Sequence, residues 1–281
     1  MTGAWRRGSQ AVRPWGEPNH NATSGVCKKP MTPATVGPGL GWADCWVLLK
    51  RLMERIPEPE LMDDSAQVEA YAAADFAASD AAMLERLVHL CGGDPGLRLV
   101  DLGCGPGNIT FRLAERWQQA SVLGLDGAPR MLAVARERLV SAAPNLATRV
   151  TFQEEVLPLA ARGSLANRFT AVVSNSLLHH LHDPDGLWQS VARLGAPGAF
   201  VYIQDLRRPA SSEAVEALVV SQMGGAPEVL RHDYRASLHA AFSVAEVREQ
   251  LQCSLLGYPC LAGLQVAPRQ ERYLEVWGRL T

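Results

Sequence analysis

The chain runs to 281 residues, yet it has no lysine after Lys50. Its main body therefore offers no lysine as Schiff-base former, general base or phosphate ligand, and enzyme chemistries that need one are excluded there. No Cys-x-x-Cys pair occurs. The six cysteines (Cys27, Cys45, Cys91, Cys104, Cys253 and Cys260) show no zinc spacing and read as reduced thiols of a cytoplasmic protein. No apolar run reaches the roughly 18 residues of a membrane span, so no membrane partner is expected. Positive charge is also short once the first 52 residues are set aside. The remainder carries 20 basic residues against 27 acidic ones. A body with that balance is not built to hold a nucleic-acid backbone, and no nucleic-acid partner is expected. Nothing in the sequence selects an oligomeric state.

Residues 1–52 stand apart. They hold seven glycines, five prolines, seven basic residues and two acidic ones. This composition reads as a disordered, basic extension. Arg6-Arg7 is not followed closely by an apolar segment, which excludes a twin-arginine signal; an organelle transit peptide stays open. Met53 is an alternative start, just before Glu54-Arg55-Ile56-Pro57-Glu58-Pro59. One domain is expected over 53–281: lid helices over 53–93, a ligand-binding core over 97–205, and acceptor-side helices with a terminal hairpin over 206–281.

Hydrophobic periodicity supplies the elements. Asp63–Phe76 reads as a helix capped by Asp63 or Asp64, and a second opens at Ser79 or Asp80 and stops at Gly92-Gly93. Strands follow at Leu97–Leu102, Ser121–Leu125, Arg149–Gln153, Phe169–Ser174 and Ala199–Asp205. The intervening helices are expected at about Asn108–Gln118, Pro129–Val140, Pro184–Leu194 and Ser211–Met223. Gly195-Ala196-Pro197-Gly198 reads as a stop and turn. Such alternation implies a parallel sheet with right-handed crossovers. Helices are then expected at Tyr234–Ala241 and, from the capping box Ser243-Val244-Ala245-Glu246, to about Gln252. Leu264–Ala267 and Arg272–Trp277 read as a hairpin around Pro268-Arg269-Gln270-Glu271.

The chemistry gathers at Val100-Asp101-Leu102-Gly103-Cys104-Gly105-Pro106-Gly107-Asn108, where a buried strand meets a helix through three alternate glycines. In such a sheet the ligand sits beside this turn. A dinucleotide fingerprint would put its third glycine at 108, which is Asn108. Asp101 would repel a pyrophosphate and attract a cationic amine. Asp126 ends the second strand about 20 residues on, where a carboxylate can accept from both ribose hydroxyls.

These residues resemble the first motif of class I S-adenosylmethionine-dependent methyltransferases. Gly124-Leu125-Asp126-Gly127-Ala128-Pro129-Arg130-Met131-Leu132 is similar to their second motif, with Ala128 where Ser is usual. Ala171-Val172-Val173-Ser174-Asn175-Ser176-Leu177-Leu178-His179-His180-Leu181-His182-Asp183-Pro184 resembles their strand-four segment. The resemblance covers about residues 60–281. It implies an α/β fold: a Rossmann-like seven-stranded methyltransferase sheet, mostly parallel, with an antiparallel C-terminal hairpin strand and helices on both faces. It also implies S-adenosyl-L-methionine as cofactor. By that resemblance Asp101 would meet the methionine amine, and Gly103, Gly105 and Gly107 would admit the cofactor to the backbone. Asp126 would hold the ribose, with Gly127 beside it and Met131 near the adenine. Glu154 or Glu155 would meet the adenine amino group, and Asn175 would lie near the methionyl end. Tyr71 is a candidate lid residue over the sulfonium.

If the acceptor must lose a proton, His179 and His180 are the candidate catalytic bases. A metal reading of His179-His180-x-His182-Asp183 finds no matching ligands elsewhere in the sequence, so no metal is expected. Arg207 and Arg208 after strand five could hold an acceptor carboxylate or phosphate, although a solvated loop is the favoured reading, and Arg231, His232 and Tyr234 form a weaker suggestion of the same kind. The expected activity is methyl transfer to a small-molecule acceptor. The alternatives are a protein or RNA methyltransferase, an NAD-dependent oxidoreductase, and a binding module that kept the fold without activity. A chain starting at Met53 is expected to fold and bind cofactor like the full chain. A large fall in melting temperature on that truncation would overturn the reading of residues 1–52.

Overall fold

A computed structural model describes residues 53–159 and 165–281. The extension expected over 1–52 lies outside the described residues. The chain enters through an extended segment, 53–64, followed by α1 (Ser65–Ala73) and α2 (Ala77–Cys91). The core then runs β1 (Arg98–Leu102), α3 (Asn108–Arg116), β2 (Ser121–Asp126), α4 (Pro129–Ser141), α5 (Pro144–Ala147), β3 (Val150–Glu154), β4 (Phe169–Asn175), α6 (Asp185–Leu194) and β5 (Gly195–Leu206). It closes with α7 (Ser212–Met223), α8 (Glu228–Ala240), α9 (Val244–Ser254), β6 (Leu264–Arg269) and β7 (Tyr273–Arg279).

The seven strands form one sheet in the order β3-β2-β1-β4-β5-β7-β6. β1 to β5 pair in parallel, while β7 runs antiparallel to both β5 and β6. The expected fold is therefore the observed one. The chain leaves central β1 toward β3, then returns to lay β4 on the other side of β1. That reversal opens a crevice at the carboxyl ends of β1 and β4, where ligands bind in such sheets. Strand alternation sorts the core into two layers. Val100 and Leu102 join Val172, Trp188, Val201 and Val276 on one face, while Leu99 joins Met83, Leu113, Val122 and Tyr202 on the other.

Several boundaries differ from the expected ones, for local reasons. Asp64 caps α1 by accepting from the backbone of Ala66 and Gln67. Asp63 instead accepts from the Arg130 backbone at 2.8 Å, in the first turn of α4. It supplies from another segment the cap that Ala128 cannot. The second helix begins at Ala77, with Asp75 accepting from the Ala77 backbone, so Asp80 is buried inside the helix and faces Arg112 at 3.5 Å. Gly195–Gly198 is not a turn: β5 already starts at Gly195, paired with Phe169. A register shift follows before Ala171. Gly198, with φ of 78°, takes the left-handed conformation there. α8 starts at Glu228 after Pro227, earlier than its apolar spacing indicated. β6 continues through Pro268, which an edge strand tolerates, and the turn falls at Gln270 instead.

Trp188 is fully buried between α6 and the sheet and gives its indole N–H to Gln250 at 3.2 Å. Trp188→Ala is expected to cost about 3–5 kcal/mol of stability, read by denaturant unfolding. A loss under about 1 kcal/mol would show that this layer is not the core.

Candidate functional site

The site is built from the loops that follow β1, β2, β3, β4 and β5. Gly103 and Cys104 both donate backbone N–H groups to the Leu125 carbonyl, at 2.8 and 3.0 Å, which draws the glycine turn against β2. Gly103 has φ of 66° and Gly105 φ of 51°. A Cβ on Gly103 would stand 2.8 Å from the Leu177 side chain, whereas one on Gly105 would project into open space. Gly105 is thus the cradle position, where a side chain would occupy ligand volume. Gly107 lies behind the turn, against Phe111 and Phe152, and does not line the cavity.

Asp126 fixes this turn to the next. Its Oδ2 accepts from Gly105 N at 2.7 Å and its Oδ1 from Ala128 N at 2.8 Å. Burial pushes its carboxyl up, and the backbone bonds from Ala128 and Gly105 oppose that. Asp101 is buried at the floor and accepts from the Thr110 hydroxyl at 2.6 Å. Burial pushes it from 3.8 up to about 7, with the Thr110 bond opposing and Asp126 adding to the rise. Arg138, absent from the sequence reading, ties the turn to the lid: it donates to Pro106 O, Asn108 Oδ1 and Ala72 O at 2.7–3.0 Å.

A cavity of about 270 Å³ opens over these groups. Of the residues singled out in the sequence, Tyr71, Asp101, Gly103, Gly105, Asp126, Gly127, Met131, Glu155, Asn175, His179 and His180 line it. Glu154 does not: it ends β3 exposed, opposite Asp126, while Glu155 turns inward and accepts from Gln153 at 2.7 Å. Tyr71 stacks on Phe76 with ring centroids 4.8 Å apart, forming one wall. Asn175 accepts from Gln204 at 3.1 Å, and Ser176 beside it holds a φ of 57°, an uncommon conformation for a residue other than glycine.

The far half of the cavity is lined by Leu206, Met223, Leu230, Asp233, Tyr234 and Arg272. Asp233 accepts from Gln67 at 3.0 Å through Oδ1, and its Oδ2 is buried without a partner among the described residues. Arg207 and Arg208 do not reach this space. Arg207 donates to the Glu271 carbonyl at 2.7 Å, and Arg208 to Glu246 at 2.6 Å and the Ala241 carbonyl at 3.0 Å. Of Arg231, His232 and Tyr234, only Tyr234 lines the cavity.

His179 Nδ1 lies 2.5 Å from Asp205 Oδ1. Burial lowers the His179 pKa, but Asp205 and Glu58 outweigh it and the net shift is upward. His180 is driven down to about 3 by burial and by His179. Glu58, held up by burial, faces both rings. Sequence reasoning missed Glu58, Arg272 and Asp233. For Glu58 the one available signal was Pro57 and Pro59, which keep its backbone extended.

Residues 100–201 match a family model described as a methyltransferase domain. A trans-aconitate 2-methyltransferase of Methylobacterium nodulans is 37% identical over 107 residues, which is 38% of this chain and 37% of that relative. Other curated relatives of that name match over 56 residues, so the chain spans little more than a third of such relatives at most. Among solved structures, the plantazolicin methyltransferase BpumL, in complex with a pentazolic desmethylPZN analog and SAH, superposes with a TM-score of 0.58 at 13% identity. The match covers 78% of this chain and 92% of that one. A SAM-dependent methyltransferase from Aquifex aeolicus gives 0.55 at 15% identity, covering 78% and 99%. These two likenesses are of fold. Residues 100–201 thus match a methyltransferase domain, and the chain carries the fold of these solved methyltransferases.

Proposed function

We propose that the protein transfers the methyl group of S-adenosylmethionine to a small molecule held in the far half of its cavity. The observation that carries this reading is one continuous cavity joining the glycine turn and Asp126 to a space between α8 and the ends of β5 and β7. The residues fit the cofactor: Gly105 leaves open volume over the turn, and carboxylates stand where an ammonium and a ribose need them. When bound, the cofactor supplies a methyl already activated on a positive sulfonium. The chain's own task is then to position and to exclude water. Asp101 would take the ammonium. Asp126 would accept the ribose hydroxyls through lone pairs that Gly105 and Ala128 leave free. Glu155 would meet the adenine amino group and Met131 its face. Tyr71 and Phe76 would shield the reacting end.

A small acceptor is supported over protein or RNA by the cavity itself and by the acidic balance of the main body. Relatives named for trans-aconitate methylation point the same way. Against a nicotinamide cofactor stand Asp101 beside the turn and Asn108 in the third-glycine position. A cytoplasmic setting is supported by Cys91, Cys104 and Cys260, which are free thiols. No helix among the described residues is long and apolar enough to cross a membrane.

Calorimetry should detect S-adenosylhomocysteine and not NAD; failure to bind the homocysteine product would sink this reading. Asp126→Ala is expected to lower that affinity about 10–100-fold, since hydrogen bonds to a charged group contribute about 1.5–3 kcal/mol. Asp126→Asn should lose less, because its one remaining acceptor can still hold Gly105 or Ala128. Equal affinities for all three proteins would show the ribose assignment to be wrong.

Asp101 gives a pH dependence. Its folded pKa, about 7, lies above the ordinary 3.8, so the apo fold loses stability as pH rises between these values. An ammonium ligand favours the ionised form. Affinity for S-adenosylhomocysteine should therefore fall as pH drops below about 7 and level off above it, with proton release on binding near neutrality. A flat affinity from pH 6 to 8, read by calorimetry in two buffers of different ionisation heat, would contradict the Asp101 assignment.

A further inference from the structure

Glu58, His179 and His180 bring together donor atoms that the positioning roles above do not use. Glu58 Oε1 lies 3.5 Å from His179 Nε2 and 3.3 Å from His180 Nδ1. One donor atom from each residue falls within 4.8 Å of the other two. The side chains are 10%, 3% and 14% exposed, so water does not bathe them. Glu58 Oε1 and His180 Nδ1 are buried and have no hydrogen-bond partner among the described residues. Buried polar atoms are rarely left so. Two of them converging on one point, with an imidazole nitrogen beside them, is the arrangement a cation satisfies.

The surroundings have the form of a metal centre's outer shell. A ligating histidine almost always gives its second ring N–H to a carboxylate or carbonyl. His179 Nδ1 meets Asp205 Oδ1 at 2.5 Å, and with the Nδ1 proton given to that carboxylate a neutral ring would aim the Nε2 lone pair toward Glu58. The other Asp205 oxygen is fixed by Leu178 N at 2.7 Å. The His180 ring bonds the backbone of Pro59. Arg55 donates to the carbonyls of His179 and Leu181, both at 2.9 Å, and so clamps the turn that carries the imidazoles. A tetrahedral centre with bonds of about 2.0–2.1 Å sets its ligands about 3.3 Å apart, close to the 3.3 and 3.5 Å that separate Glu58 Oε1 from the two imidazole nitrogens.

We propose that Glu58, His179 and His180 bind one divalent transition-metal ion of the zinc type, with a coordination position open toward the acceptor half of the cavity. Both imidazoles belong to the cavity wall. Two carboxylates, Glu58 in contact and Asp205 one ring away, offset most of a 2+ charge beside the Arg55 guanidinium. His182 is not part of the set: its ring is exposed and meets the Glu58 carbonyl at 2.8 Å. The ligand that the sequence did not reveal is Glu58, brought from the entering segment. The site stands without the methyl-transfer reading, but its use rests on that reading. An ion there would bind an acceptor hydroxyl and lower its pKa, which makes a hydroxyl oxygen the acceptor class. Imidazole nitrogens committed to an ion take no proton, so this role replaces that of base for His179 and His180.

The test uses the full chain, free of any affinity tag, stripped with a chelator. Zn²⁺ is titrated by calorimetry and Co²⁺ by visible absorption, with S-adenosylhomocysteine binding measured on the same samples. The wild type should take up a single equivalent of Zn²⁺ and show a cobalt band of low coordination number. Glu58→Gln should weaken Zn²⁺ binding by more than Asp205→Asn, which acts through His179 and should cost about 10–100-fold. Retained S-adenosylhomocysteine binding certifies that each variant is folded. Its absence from the wild type would count against the methyl-transfer reading and leave the metal result standing. No stoichiometric Zn²⁺ in the wild type, or equal Zn²⁺ affinity in wild type and Glu58→Gln, would overturn the proposal and leave an ion-paired cluster.

Discussion

The carboxylate of Asp126 is the constraint on which the cofactor end depends. β1 and β2 pair in register, Leu102 opposite Leu125, so the residue after Leu125 arrives beside the glycine turn. Its two oxygens reach in opposite directions, to Gly105 N and Ala128 N. A buried carboxylate is costly unless it is hydrogen-bonded, and charge-assisted bonds to backbone N–H groups offset that cost. The turn after β1 and the helix start after β2 are thereby locked to each other through one side chain. Each oxygen keeps a lone pair. One group can therefore hold the turn rigid and still face a ligand, so the cradle exists before the ligand arrives.

The electrostatics of the cavity follow from the same economy. Asp80, Asp101, Asp126, Glu155 and Asp233 line it, with Arg272 as the one guanidinium among the described lining residues. Asp80 is partly neutralised by Arg112, while Asp101 is met by the hydroxyl and backbone of Thr110 and by no cation among the described residues. A cavity of this sign concentrates cationic ligands and disfavours phosphates. The physical case for a sulfonium-bearing, amine-bearing cofactor is thus made twice, by the glycine spacing and by the charge of the wall.

Much of this was legible in the sequence. Buried parallel strands announce themselves as short apolar runs, and the glycines, Asp101 and Asp126 are local in the chain. What stayed hidden is what distant segments build together. Glu58 and His179 are far apart in sequence, and only the fold lays the entering segment across the turn after β4. Asp63 capping α4 is of the same kind, since a cap from another segment leaves no trace at Ala128. Arg207 and Arg208 show the converse case. A basic pair after a strand suggested an acceptor site, but the carbonyls and Glu246 around it absorb both guanidinium groups. Gly195–Gly198 misled because Gly and Pro mark turns, and here they fill a bulge in an otherwise paired strand.

The entering segment connects the two halves of the site. Arg55 and Glu58 reach the histidine turn, and Ile56 donates its backbone N–H to the His239 carbonyl of α8 at 3.0 Å. A few residues on, Leu61 packs over Gly127, where a Cβ would come within 2.9 Å of it, and Asp63 caps α4. One stretch from Arg55 to Asp63 therefore touches the histidine turn after β4, helix α8 and Gly127 beside Asp126. It has no helical hydrogen bonds of its own, so these contacts set its order.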